Sequence, residues 1–109
     1  MRYLLLIVSD PTGEPEETAD VPIQQWVDEL RASGERTDGD RLAADDTKVV
    51  RRRGDRLLVT DGPYAETKEQ IAGFDLIEAE TPERALEIAA RHPMSRAGLV
   101  QVMPFYQWD

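Results

Sequence analysis

The sequence predicts an α+β domain with two helices laid on one face of an antiparallel sheet. Three observations lead there. Apolar strand-like runs and helix-periodic runs follow in the order strand, helix, strand or hairpin, strand, helix, strand. Residues 3–8 and 99–103 are apolar on both parities, so these two strands have to be covered on both faces. Gly54-Asp55 separates two strand-like runs by the two residues that close a tight hairpin. The order is that of a ferredoxin-like sandwich. Two helices cover only one face of such a sheet, and a second copy of the same sheet is the simplest cover for the other. The expectation is a homodimer with sheets packed face to face, a dimeric α/β barrel.

Each element has its own signal. In the first strand Tyr3, Leu5 and Ile7 point one way and Leu4, Leu6 and Val8 the other. The stretch from Asp10 to Glu17 is rich in proline, glycine and carboxylates, and reads as an exposed connection. Asp20 is the expected N-cap of a first helix carrying Ile23, Trp26, Val27 and Leu30 at helical spacing, with Gly34 as its stop. Trp26 is expected in the core. Residues 35–46 are polar, with Leu42-Ala43-Ala44 as a candidate short strand. The hairpin occupies residues 47–60, and residues 72–79 form a strand with Phe74 and Leu76 on one face and Ile77 and Ala79 on the other. Thr81 caps a second helix with Pro82 at its first position and Ala85, Leu86, Ile88, Ala89 and Ala90 as its stripe, ended by His92-Pro93. The last strand precedes an aromatic tail, Phe105, Tyr106 and Trp108, expected at the dimer contact.

At 109 residues the chain suits one domain spanning residues 1–109. A net charge of -9 argues against a broad grip on nucleic acid or an anionic membrane. The absence of cysteine excludes disulfides, thiolate nucleophiles and cysteine-ligated metals. A single histidine excludes a metal site or mechanism built on two imidazoles. No cofactor is expected. The apolar opening is too short for a membrane span and lacks a signal cleavage site, so a cytoplasmic location is expected.

The segment Asp61-Gly62-Pro63-Tyr64-Ala65-Glu66-Thr67-Lys68-Glu69 resembles the signature of the DGPF branch of the YCII-related family, with Tyr64 in place of the usual Phe. The resemblance extends to the opening strand, to Glu29-Leu30-Arg31-Ala32-Ser33-Gly34, to Gly73-Phe74 and to Ala90-Arg91-His92-Pro93. It implies dimeric α+β barrels, mostly without assigned activity. Some members are encoded beside extracytoplasmic-function sigma factors, and some distant relatives are lyase-like or isomerase-like enzymes using a His and Asp pair. Relatives often carry a His in the middle of the first helix, where this chain has Trp26-Val27-Asp28-Glu29-Leu30.

The candidate ligand-binding residues are Asp61, Tyr64, Glu66, Lys68, Asp10 and His92, with no catalytic residue assigned. Gly62 and Pro63 make a defined corner that can hold Asp61, Tyr64, Glu66 and Lys68 at a pocket mouth. There Lys68 or Tyr64 binds an anionic or carbonyl oxygen, and Asp61 or Glu66 acts as base or acceptor. Alternatively Asp61 caps the turn and the other charges are solvated. His92 is either a tuned base or a partly protonated helix-end residue favouring the dipole. Asp10 either faces the pocket of Asp61 or shapes a turn. Asp38-Gly39-Asp40 and Asp45-Asp46 lack the distal Glu of a calcium loop and read as solvated. Arg51, Arg52, Arg53 and Arg56 form a short basic patch at the hairpin tip, a charged edge that discourages aggregation rather than a nucleic-acid footprint.

Two functions follow. One is a small-molecule site beside the Asp61 to Glu69 loop, for lyase-like or isomerase-like acid-base chemistry or for ligand sensing. The other is a non-catalytic dimeric interaction module, with a sigma factor as a possible associate.

Overall fold

A computed structural model describes residues 1–62 and 70–108. Among these residues six strands and three helices follow one another as β1 (Arg2–Ser9), α1 (Ile23–Ser33), β2 (Arg36–Arg41), β3 (Lys48–Arg53), β4 (Arg56–Asp61), β5 (Gln70–Glu78), α2 (Pro82–Arg91), α3 (Met94–Ala97) and β6 (Gly98–Pro104). Four strands make one antiparallel sheet in the order β2-β5-β1-β6, while among the described residues β3 and β4 pair only with each other. The architecture is α+β and consistent with a ferredoxin-like fold.

Strand alternation sorts the sheet into two faces. Tyr3, Leu5, Ile7 and Ile77 are buried against Trp26 and Leu30 of α1 and Ala85, Ile88 and Ala89 of α2, which together form the core. The cross-strand pairs Leu4↔Leu76 and Leu6↔Phe74 lie on the opposite face. Trp26 is 1 % exposed, and its indole N–H donates to the Ile88 carbonyl at 3.0 Å. That bond ties α1 to α2 and removes the cost, about 1 to 3 kcal/mol, of burying an unpaired donor.

The helix ends follow sequence logic with one exception. Gly34 closes α1 in the left-handed region at φ 77°, and the Thr81 hydroxyl accepts from the Arg84 amide at 3.1 Å to cap α2. Asp20, however, does not cap α1. Pro22 holds the N-cap position, and the Asp20 carboxylate instead meets Arg96 at 3.2 Å. Leu42-Ala43-Ala44 is not a strand either: a 3-10 turn covers Ala44–Asp46, and the strand comes earlier, as β2. β2 is polar because it lies at the sheet edge, where the backbone ladder to β5 holds it without an apolar stripe.

The β3–β4 hairpin projects as an arm. The described residues extend 48 × 42 × 19 Å with a radius of gyration of 16.0 Å, where a compact chain of this length has about 13 Å. On one face of the arm Val50 and Val59 pair across the ladder beside Leu57, and these three are 66 %, 58 % and 53 % exposed.

Candidate functional site

Three of the six candidate residues, Tyr64, Glu66 and Lys68, lie outside the described residues, as does Pro63 of the expected corner. The other three are placed apart. Asp61 ends β4 at the base of the arm, exposed and paired with Lys48, its cross-strand partner. Asp10 follows β1, and its carboxylate accepts from the Thr12 amide at 2.9 Å and the Thr12 hydroxyl at 2.8 Å. These bonds, the amide first, hold its carboxyl below the usual range. It borders a shallow hollow of about 490 Å³ with Pro11, Gly13, Met94 and Ala97. Among the described residues, no hydrogen bond or ion pair joins any two of Asp10, Asp61 and His92.

His92 ends α2 and is buried, in contact with groups that the sequence reading passed over. Its Nδ1 accepts from the Met94 amide at 2.9 Å, which places the ring proton on Nε2. Nε2 lies 3.9 Å from Oδ2 of Asp75. The ring stands edge-on to Trp26, with centroids 4.5 Å apart and planes at 70°. The Asp75 carboxylate accepts from Nε of Arg36 at 2.8 Å through its other oxygen. The cluster thus joins the end of α2, the middle of β5 and the start of β2.

Its electrostatics follow from burial. Loss of solvent lowers the His92 pKa to about 4, with the Arg36 charge adding to the effect. The imidazole is therefore neutral at pH 7, which overturns the expectation of a partly protonated residue favouring the helix dipole. Burial raises the Asp75 carboxyl, and the Arg36 hydrogen bond and charge oppose that rise. Gly39 stands opposite Asp75 on β2. A Cβ there would collide with the Asp75 carboxylate and the Arg36 guanidinium and come within 2.8 Å of the Phe74 carbonyl oxygen. Glycine is what lets Arg36 fold back over the strand.

Chemically, the imidazole is bound on one side. Nδ1 is held by a backbone amide, while Nε2 faces Asp75 across 3.9 Å without a hydrogen bond. No buried side-chain polar atom lacks a partner among the described residues.

One signal for this cluster was legible. Gly73, Asp75, Ile77 and Ala79 share a parity, which puts a carboxylate on the inward face of β5, where it needs a partner. Arg36 carried no such mark, since it lies in a polar run.

On the outer side of the helices Arg84 grips both oxygens of Glu35 at 2.8 Å, and Arg91 chelates Glu29 at 3.0 and 3.2 Å. These bonds hold both carboxyls below their usual range. The pairs border a cleft of about 170 Å³ between α1 and α2 and clamp the helices together. Among the described residues no group of three or more His, Cys, Asp or Glu is arranged to hold a metal ion, and no helix is long and apolar enough to cross a membrane.

The YCII-related domain matches residues 1–109, the whole chain. The chain belongs to the YCII-related family. A relative in Rhizobium meliloti (strain 1021), described as an uncharacterized protein, is 45 % identical over 41 residues, which cover 38 % of this YCII-related chain and 33 % of that protein. The match thus spans about a third of the relative's length. This YCII-related domain lacks a first-helix histidine, and Trp26 occupies that stretch. The imidazole beside Trp26 comes from the end of α2 instead.

Proposed function

We propose that this YCII-related domain works as a homodimer whose sheets pack face to face, a non-catalytic interaction module. One observation carries the reading. The helices cover one face of the four-stranded sheet, and the other presents Leu4, Leu6, Phe74 and Leu76, with Met103 beside them 43 % exposed. A contiguous apolar face on a small acidic protein marks an interaction surface. A two-fold axis lets the same patch cover itself and completes a barrel. The module is then regulatory, and an extracytoplasmic-function sigma factor is the partner that the family resemblance suggests.

A second reading, a small-molecule site with acid-base or sensing chemistry, has one support. A buried carboxyl pushed toward its neutral form beside a neutral imidazole is the kind of pair found at acid-base sites.

Native mass spectrometry of the purified protein, compared with its denatured mass, separates the two. A dimer without added mass supports the module. A dimer with a small adduct that leaves on denaturation moves the assignment to the ligand site. A monomer at tens of micromolar overturns the sheet-to-sheet reading.

A further inference from the structure

We propose that the β3–β4 arm clasps the second copy, laying its apolar face along the β2 rim of the partner protomer's sheet and setting Arg52, near its tip, against the acidic edge strand there. The proposal rests on the homodimer reading above and adds which segments meet.

The arm calls for a cover. An isolated two-stranded ribbon is marginal in water, and this one turns Val50, Leu57 and Val59 outward on one face. Alternation puts Arg52, the partner of Leu57 in the ladder, on that same apolar face near the tip. Arg53 and Arg56 flank the turn at Gly54-Asp55. Among the described residues, Arg52 has no carboxylate within ion-pair distance.

Charge decides the occupant. Residues 48–61 hold five Lys and Arg against two Asp, so with the whole chain at -9 the rest of it carries -12. A net +3 arm on a strongly acidic body is self-complementary between two copies. The acidic counterpart has a definite place. Gly39 faces the core side of β2, so Asp38 and Asp40 face the open side, at the edge of the Leu76 and Phe74 rows with which they pair. Both are exposed, and among the described residues each accepts a hydrogen bond only from the amide of the next residue, Gly39 or Arg41. An arm whose apolar face lies along that rim brings Arg52, on the same face, to the two carboxylates. The pairing sets register and orientation, while apolar burial supplies most of the affinity.

The test uses the full chain in four forms: wild type, Asp38→Arg with Asp40→Arg, Arg52→Asp, and all three substitutions together. The substituted side chains are exposed, and circular dichroism confirms folding. Sedimentation equilibrium gives the dimer dissociation constant of each. Each reversal alone is expected to weaken the dimer about tenfold or more, and the combination to recover most of that loss. Wild-type association should also weaken as salt rises from about 50 to about 500 mM. Dimers of equal strength in all four forms overturn the clasp and leave the sheet-to-sheet dimer standing. A combination no tighter than the single reversals likewise overturns the pairing. A wild type that stays monomeric overturns both readings.

Discussion

Nε2 of His92 faces Oδ2 of Asp75 across 3.9 Å, between the end of α2 and the middle of β5. The distance is too long for a hydrogen bond, yet both groups are about 5 % exposed. An imidazole held there without solvent stays neutral. Burial first, and then the Arg36 charge, lowers the pKa of this imidazole and makes His92 a source of pH response.

Acidification should destabilise the protein through His92. Its pKa is about 4 in the folded chain against an ordinary 6.5, so below pH 6.5 the unfolded chain binds the extra proton first. The stability it contributes is whole above pH 6.5 and falls as pH drops toward 4, by about 2 kcal/mol at pH 5. Asp75, whose carboxyl is raised, acts with the opposite sign. His92→Asn keeps an acceptor for the Met94 amide and should flatten or reverse the slope. Urea unfolding at pH 7, 6 and 5 measures it, and an unchanged slope in the variant would exclude His92 as its source.

Arg36 and Asp75 should behave as a coupled pair. Removing the guanidinium in Arg36→Met strands a buried carboxylate, at a cost of about 3 to 5 kcal/mol. The double variant Arg36→Met with Asp75→Asn should cost clearly less than the two single changes added together. A double-mutant cycle on unfolding free energies shows this, and strict additivity would remove the ion pair from the account.

Gly39→Ala should disturb the same cluster from the other strand. The new methyl must displace Arg36 or shift the backbone near the Phe74 carbonyl, and about 2 kcal/mol of stability should be lost. The prediction fails if thermal unfolding of the variant matches that of wild type.

Leu76→Glu puts a charge on the open sheet face without entering the core. The variant should sediment as a folded monomer at concentrations where wild type is dimeric, because a buried unpaired carboxylate opposes the sheet-to-sheet contact. A dimer of wild-type strength would place the interface elsewhere.

Much of the fold was legible because its signals are local. The alternation in residues 72–79 gave the two faces of β5, Gly34 and Thr81-Pro82 gave helix ends, and Gly54-Asp55 gave the hairpin turn. α3 was missed because Met94–Ala97 is a single turn directly after Pro93, too short to show a period.

By itself the sequence determined the α+β class, the order of the main elements, the buried position of Trp26 and the inward parity of Asp75. Each depends on neighbours a few residues away, through backbone angles or side-chain alternation. Only the tertiary structure decided what Asp75 meets. Arg36 and His92 lie 39 positions before it and 17 after it, and both reach it only once β2 pairs with β5 and α2 packs on the sheet. The same holds for the arm. Its hairpin is written locally, but its separation from the four-stranded sheet follows from β2, β5, β1 and β6 completing that sheet without it. Contacts between distant segments arise from the whole packing, and no stretch of sequence carries them alone.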